Sequence, residues 1–119
     1  MFINTGKLES YSEQQLLDCS IKDGNRGCNG GIMDLAFRYA EQTPLETEAD
    51  YPYIAAYQPC AYDQSKGVGR VYNYHDVKAN DPEQLKAAIA LGPVSVGIEA
   101  DQPVFHNYAG GVITSSDCG

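Results

Sequence analysis

Apolar positions recur with helical spacing in three segments of this chain. The first segment follows Ser12, which forms a capping box with Gln15 three residues later, a pattern that starts helices. The residue before the cap, Tyr11, is placed to pack on Leu16 in the first turn. This pattern predicts a short helix that ends near Asp18.

The second helical pattern follows a glycine-rich turn. Its apolar residues lie three and four positions apart, so they share one helical face: Ile32, Leu35, Ala36, Tyr39 and Ala40. The pattern ends at Thr43, because the residue before a proline (Pro44) is disfavoured in the helical conformation.

The third helical pattern has signals at both ends. Asp81 is the predicted N-cap, Pro82 lies in the first turn and Gln84 completes a capping box. Gly92-Pro93 predicts the end of this helix. The residues expected to face inward are Leu85, Ala88 and Ile89.

Strand patterns lie mostly in the second half of the chain. Residues 69–77 are rich in β-branched and aromatic side chains, residues 94–98 alternate, and residues 112–114 form a short strand-like run. Residues 44–67 contain three prolines and predict a long ordered loop, which is either functional or held by a cross-link. Helices first and strands second predict an α+β fold.

Composition excludes two classes of partner. The 119 residues contain 8 Lys+Arg and 16 Asp+Glu, for a formal net charge of −8. Nucleic acids and anionic membranes are bound by clustered Lys and Arg, so neither is an expected partner. No apolar stretch reaches the roughly 18 residues of a membrane-spanning helix.

The cysteines favour disulfides over a metal site. Cys19, Cys28, Cys60 and Cys118 are widely and unevenly spaced, and neither His75 nor His106 has ligand-like spacing. We therefore expect no zinc site and no cofactor. An even number of cysteines in this chain is typical of disulfides formed in an oxidising compartment.

Two segments invite a functional interpretation, each with a structural alternative. Residues 27–31 (GCNGG) are either a tight turn before a helix or a bare backbone that pairs with an extended ligand. Asp23, Asn25 and Asp34 match some positions of a calcium-binding loop, although the required glycine is replaced by Cys28.

The remaining polar residues have structural interpretations. His106-Asn107 suggests a catalytic Cys-His-Asn set, but adjacent residues are poorly placed to act as base and orienting group of one imidazole. We expect His106 to pack within its turn and His75 to edge a strand. Three carboxylates are expected to form a solvated face: Glu46, Glu48 and Asp50.

Four ordered motifs together resemble the papain-like cysteine peptidases, and in particular their cathepsin L-type branch. They are residues 12–19 (SEQQLLDC), 27–34 (GCNGGIMD), 51–53 (YPY) and 92–96 (GPVSV). The resemblance implies a papain-like fold with part of the helical left subdomain over residues 1–76 and part of the β-rich right subdomain over 77–119. It implies hydrolysis of peptide bonds in peptide or protein substrates by an endopeptidase.

The same resemblance implies that the catalytic residues lie elsewhere. In this family the nucleophilic cysteine belongs to a motif upstream of the matched residues 12–19, and the catalytic histidine and asparagine follow the cysteine matched by Cys118. The expected catalytic set within residues 1–119 is therefore empty, and the chain alone is expected to be inactive. The alternative is a non-catalytic peptide-binding or structural module derived from the peptidase fold.

What the resemblance assigns to this chain is substrate binding and one disulfide. Gly31 matches the main backbone anchor for the peptide, and the other matched positions line the cleft or its specificity pocket: Asn29, Gly30, Ile32, Met33 and Gly97. Cys19 and Cys60 match a disulfide pair, whereas Cys28 and Cys118 match cysteines whose partners are not in the chain. The family resemblance and the cysteines imply a lysosomal, vacuolar or secreted location.

Overall fold

The computed structural model describes residues 2–118, without the side chains of Phe2, Asn4 and Cys118. This part contains five α-helices: α1 (Phe2–Thr5), α2 (Glu13–Cys19), α3 (Met33–Gln42), α4 (Pro82–Leu91) and α5 (Pro103–His106). Short 3₁₀ turns lie at Ser20–Asp23, Gly27–Asn29, Gln64–Lys66 and Ser116–Cys118. Helices α2, α3 and α4 confirm the three predicted helices.

The predicted N-cap of α2 is present, but the capping box is only half formed. Ser12 Oγ accepts a hydrogen bond of 2.9 Å from the Gln15 N–H. The Gln15 side chain does not return to the Ser12 N–H, which donates instead to the carbonyl of Glu46 at 3.0 Å. The prediction of a reciprocal box was therefore wrong, because Gln15 has partners in a distant part of the chain.

Helix α3 buries the C-terminal end of its predicted apolar face. Tyr39 and Ala40 are buried, and Leu35 and Ala36 are half-buried. Ile32 departs from the prediction: it is the extended N-cap residue of α3 and is 61% exposed. Its side chain lies beside the glycine turn rather than in the core.

Helix α4 begins as predicted, with Asp81 accepting a hydrogen bond of 3.0 Å from the Gln84 N–H. Leu85 and Ala88 are half-buried and line a cleft towards α3. Ile89 was expected to face inward but is 58% exposed. The described elements cover only the side of α4 that carries Leu85 and Ala88.

The three predicted strands are not formed within residues 2–118. In this part of the chain, strand-type pairing of the backbone is limited to two isolated antiparallel bridges, Tyr11–Thr47 and Leu45–Gly69. Residues 94–98 and 112–114 pair with no other segment of the described chain. A strand requires the N–H and C=O groups of a neighbouring strand, and a strand pattern alone does not supply that neighbour.

A network of buried polar groups holds the loop of residues 44–67 against α2. Gln14 Nε2 donates to Asp18 Oδ1 at 2.9 Å and to the carbonyl of Ala56 at 2.7 Å. Asp18 also accepts hydrogen bonds from Tyr51 Oη at 2.8 Å and from the Gln58 N–H at 3.1 Å. Because these side chains are buried and bonded, the loop is ordered although it contains no α-helix and takes part only in isolated bridges.

The Cys19–Cys60 disulfide fixes the same loop covalently. It joins residues 41 positions apart, and its Cys19 end lies in the small core with Tyr39 and Tyr51. This confirms the pairing implied by the family resemblance. Cys28 is a free, exposed thiol, whereas the thiol of Cys118 lies outside the described side chains.

The core is confined to the first half of the chain. Among residues 70–117 no residue is buried. The radius of gyration is 16.5 Å, against roughly 13.5 Å expected for a compact chain of this length. The longest described helices, α3 and α4, have ten residues each, and no helix in this part of the chain has the length and apolarity needed to cross a bilayer.

Candidate functional site

The glycine motif forms a tight turn that leads into α3. The Arg26 N–H donates to the carbonyl of Gly30 at 2.9 Å, and the Asn29 N–H donates to the carbonyl of Arg26 at the same distance. Gly30 has a φ of 100°, a left-handed conformation that favours glycine. The turn interpretation of this motif is therefore confirmed, and it leaves open what the turn presents to solvent.

Gly31 is the residue of this turn whose backbone is left available. It is exposed, and within residues 2–118 neither its N–H nor its C=O makes a hydrogen bond. The neighbouring groups are occupied: the Gly30 N–H donates to Gly27 O at 3.3 Å, and the Ile32 N–H donates to Asn25 Oδ1 at 2.9 Å. One residue without a side chain thus presents both a donor and an acceptor to solvent.

Four of the predicted site residues lie together around a shallow groove. The groove has a volume of about 270 Å³ and is lined by Gly30, Gly31, Ile32 and Met33, with Leu16 and Ala36 in its apolar floor. Asn29 belongs to the same turn and is exposed. The structure therefore brings five of the six predicted substrate-binding residues to one contiguous surface.

A larger cleft of about 870 Å³ lies beside this groove. Met33 is on one wall, and residues 94–96 and His75 are on the other. Gly97, the sixth predicted residue, comes directly after Val96 and has no atom within 4 Å of the position where a Cβ would stand. Met33 therefore joins the glycine groove to the cleft near Gly97.

The residues considered for a calcium site or for catalysis do not form such a site among the described residues. Asn25, part of the calcium alternative, uses its amide for hydrogen bonds to the Ile32 N–H and to Ser20 Oγ. No metal-binding cluster of three or more His, Cys, Asp or Glu occurs among the described residues. His106 was expected to pack within its turn, but it lies at the end of α5 and is exposed. His75 is exposed in an unpaired segment rather than at the edge of a strand.

The acidic run at residues 46–50 is not the solvated face that its sequence suggests. Glu46 is 1% exposed, and its carboxylate accepts a hydrogen bond of 2.7 Å from the Asp63 N–H. Glu48 accepts one of 2.7 Å from the Tyr53 N–H. Asp50 is exposed and accepts one of 2.7 Å from Thr47 Oγ1. The prediction was wrong for Glu46 and Glu48, because backbone N–H groups of the following loop bind their carboxylates, whereas Asp50 is exposed as expected.

Sequence reasoning also missed the role of Gln14, Gln15 and Asp18 as buried anchors of the loop. The sequence contained one indication of this role, which is a run of polar residues in a short helix next to a cysteine. A capping box explains Gln15 locally, so the local pattern did not require a distant partner.

A third cavity, of about 660 Å³, borders the Cys19–Cys60 disulfide and contains none of the predicted substrate-binding residues. Its walls include Tyr39, Tyr57 and Tyr62, and Lys22 Nζ lies 5.7 Å from the centre of the Tyr39 ring. Burial raises the pKa of Tyr39 above its ordinary value of 10.0, and it does the same for Tyr62. This cavity is part of the packing of the 44–67 loop.

The profile of the papain family cysteine proteases matches residues 1–119. The chain belongs to this family.

Similar proteins carry cathepsin names. The chain is 46% identical over 120 residues to a cathepsin L-like peptidase of Aedes aegypti, an alignment that covers 98% of this chain and 35% of that protein. It is 40% identical over 119 residues to procathepsin L of Rattus norvegicus, covering 99% of this chain and 36% of that protein. The chain thus spans about a third of the length of these relatives.

A solved structure shows the same fold. The Carica candamarcensis cysteine protease CMS1MS2, determined in complex with E-64, superposes with a TM-score of 0.85 at 33% sequence identity. The superposition covers 97% of this chain and 54% of that chain. The papain-like fold class implied by the sequence motifs is confirmed.

Proposed function

We propose that this chain forms the substrate-binding wall of a cysteine-type endopeptidase of the cathepsin L type. The observation that carries the proposal is the exposed backbone of Gly31, whose N–H and C=O are both without partners among the described residues. A peptide in extended conformation pairs with such a backbone as an added strand.

The neighbouring residues limit the pairing to one position. The N–H groups of Gly30 and Ile32 are already bonded within the turn, so the substrate pairs with Gly31 alone. The substrate residue opposite Gly31 donates its N–H to the Gly31 carbonyl and accepts the Gly31 N–H. Its side chain then extends towards the surface formed by Ile32 and Met33, with Gly97 on the far side of the proposed pocket.

This pocket has an apolar character. Ile32 and Met33 are both partly exposed beside the groove, Met adapts to different shapes, and Gly97 adds no side-chain volume. A substrate Leu or Phe buries more apolar area here than Ala, at about 0.8 kcal/mol per methylene. An acidic side chain would be buried there without a charged partner among these three residues, which is unfavourable.

Peptide hydrolysis also requires a nucleophile and a base, and no residue of the 119 matches either position of the family. In the proposed reaction a cysteine thiolate attacks the substrate carbonyl to form a thioester, and an imidazolium protonates the departing amine. Water then hydrolyses the thioester and regenerates the thiolate. The chain's own contribution is to hold the peptide in an extended conformation.

Two further assignments are proposed with this function. The chain is divided near residue 76 into a helical part (1–76) and a part of the right subdomain (77–119), in agreement with the restriction of the buried core to the first half. The protein is lysosomal, vacuolar or secreted, which is supported by the Cys19–Cys60 disulfide because such bonds persist in oxidising compartments.

The test is made in a chimera that carries this chain in place of the aligned segment of the Aedes aegypti relative. Two substrates are compared: a peptide, and its depsipeptide in which an ester oxygen replaces the N–H directed at the Gly31 carbonyl. We expect kcat/KM to be about tenfold lower for the depsipeptide, since one hydrogen bond is lost. A control ester placed on the other side of the cleaved bond shows the change due to ester chemistry alone. Equal kcat/KM for the peptide and the depsipeptide would refute the pairing with Gly31.

A further inference from the structure

The side chain of Asn25 lies directly behind Gly31. A Cβ on Gly31 would stand 2.4 Å from Asn25 Oδ1 and 2.9 Å from Asn25 Cγ, closer than non-bonded atoms approach. The Asn25 side chain therefore fills the space on the inner side of Gly31. The absence of a side chain at Gly31 is required by this contact.

The Asn25 amide is held at both ends. Its Oδ1 accepts the Ile32 N–H at 2.9 Å, and its Nδ2 donates to Ser20 Oγ at 2.8 Å. Ser20 is fully buried, and its hydroxyl donates to the carbonyl of Leu16 in α2 at 2.6 Å. A chain of hydrogen bonds thus connects the buried end of α2 to the backbone residue that follows Gly31.

This arrangement has a consequence for the direction of the backbone groups. Because the Ile32 N–H is bound to Asn25, the peptide plane between Gly31 and Ile32 has a fixed orientation, and this plane includes the Gly31 carbonyl. Glycine has no side-chain contacts that would restrain it, so without this hydrogen bond the carbonyl can rotate to another orientation.

We infer that Asn25 is a positioning residue that orients the Gly31 carbonyl for the peptide substrate. This inference rests on the proposed function, and it assigns to Asn25 a role in substrate affinity beyond its role in the stability of the turn. Asn25 does not itself face the substrate, since Gly31 lies between them.

The experiment uses the chimera and the peptide–depsipeptide pair described above. We expect Asn25→Ala to raise KM for the peptide about tenfold with little change in kcat, and to bring the peptide-to-depsipeptide ratio close to one. Asn25→Asp retains an oxygen acceptor for the Ile32 N–H and is expected to restore most of the ratio. Asn107→Ala is the matched control, because Asn107 makes a comparable side-chain hydrogen bond to Pro103 O, at 2.9 Å, outside the groove.

The possible results distinguish a failure of the role assigned to Asn25 from a failure of the proposed pairing with Gly31. If Asn25 only stabilises the turn, Asn25→Ala lowers the melting temperature and the active fraction but leaves the ratio unchanged, which overturns the inference. If the proposed pairing with Gly31 is itself wrong, the ratio is already one in the unaltered chimera. Should Asn25→Ala not fold, Asn25→Ser is measured instead: its hydroxyl is shorter than the amide, so we expect the same collapse of the ratio, and an unchanged ratio overturns the inference.

Discussion

The N–H of Glu46 donates a hydrogen bond of 2.7 Å to the side-chain oxygen of Gln15, across 31 positions of the chain. The amide nitrogen of the same glutamine donates to Tyr39 Oη at 3.0 Å and to the carbonyl of Pro44 at 3.3 Å. One fully buried side chain in α2 therefore holds together the end of α3 and the start of the long loop.

Replacement of Gln15 should destabilise the chain strongly. Gln15→Ala leaves the Glu46 N–H, the Pro44 carbonyl and the Tyr39 hydroxyl without this partner, and we expect the free energy of unfolding to fall by about 3 kcal/mol. Urea denaturation of the 119-residue chain measures the change. Glu13→Ala, on the exposed side of the same helix, is the control, with an expected effect below about 0.5 kcal/mol. Equal losses in the two variants would contradict the anchoring role.

A steric prediction concerns Gly67, whose backbone has an ordinary φ of −67°. A Cβ at this position would stand 2.6 Å from Tyr62 Oη and 3.0 Å from Pro44, so Gly67→Ala should cost about 2 kcal/mol by overpacking. The Tyr62 hydroxyl is buried without a hydrogen-bond partner among the described residues, so Tyr62→Phe should be nearly neutral alone.

The double variant checks the cause of this loss. Gly67→Ala in the Tyr62→Phe background lacks the closest contact and should recover part of the lost stability. Gly97→Ala, with nothing within 4 Å, is the control for the change in backbone entropy. Strictly additive effects at Gly67 and Tyr62 in urea denaturation would rule out the proposed clash.

The disulfide should contribute a large share of the stability. The Cys19–Cys60 bond closes a loop of about 40 residues, for which chain entropy gives about 4 kcal/mol. The variant Cys19→Ala/Cys60→Ala should therefore melt at a markedly lower temperature. Its melting temperature should also be the same with and without reductant. Cys28→Ser is the control, because Cys28 is a free exposed thiol. A reductant-insensitive melting temperature in the unaltered chain would contradict this prediction.

Stability should fall at alkaline pH because of the buried tyrosines. Burial, and then the neighbouring Asp18 carboxylate, raises the pKa of Tyr51 above its ordinary value of 10.0. Above that pH the unfolded chain releases the phenol proton while the folded chain retains it, so the unfolded state is favoured as pH rises. The stabilising contribution is complete below pH 10 and disappears as pH rises through the raised pKa.

Denaturation curves at several alkaline pH values measure this effect. Tyr51→Phe has no phenol proton to lose, so its stability should decrease less steeply above pH 10. Tyr72→Phe is the control, because Tyr72 is 82% exposed, and its curve should follow that of the unaltered chain. Identical slopes for all three chains would show that Tyr51 does not control the alkaline transition.

The proposed specificity pocket gives a prediction about substrate choice. If Gly97 faces Ile32 and Met33 across the pocket, Gly97→Leu in the chimera fills it and should reduce kcat/KM more for a substrate with Phe at the pocket position than for one with Val. Gly97→Ala should give a smaller change in the same direction. Equal losses on both substrates, or none on either, would show that Gly97 does not line this pocket.

The sequence alone determined the features that depend on residues close together in the chain. Ser12 and Asp81 begin their helices as predicted, because an N-cap interacts with an N–H three residues away. The family resemblance also predicted the Cys19–Cys60 bond and the grouping of residues 29–33 at one surface, and a solved cysteine protease has the same fold.

The tertiary structure decided the features that depend on distant partners. Glu46 is buried because the Asp63 N–H binds its carboxylate, and Gln15 leaves its capping box because Glu46, Pro44 and Tyr39 come within its reach. Within residues 2–118 the strand patterns after residue 68 form no sheet, because a strand requires a second strand beside it to supply its hydrogen-bond partners. The available backbone of Gly31 is likewise set by Asn25 and Gly27, whose bonds to its neighbours leave its own N–H and C=O exposed.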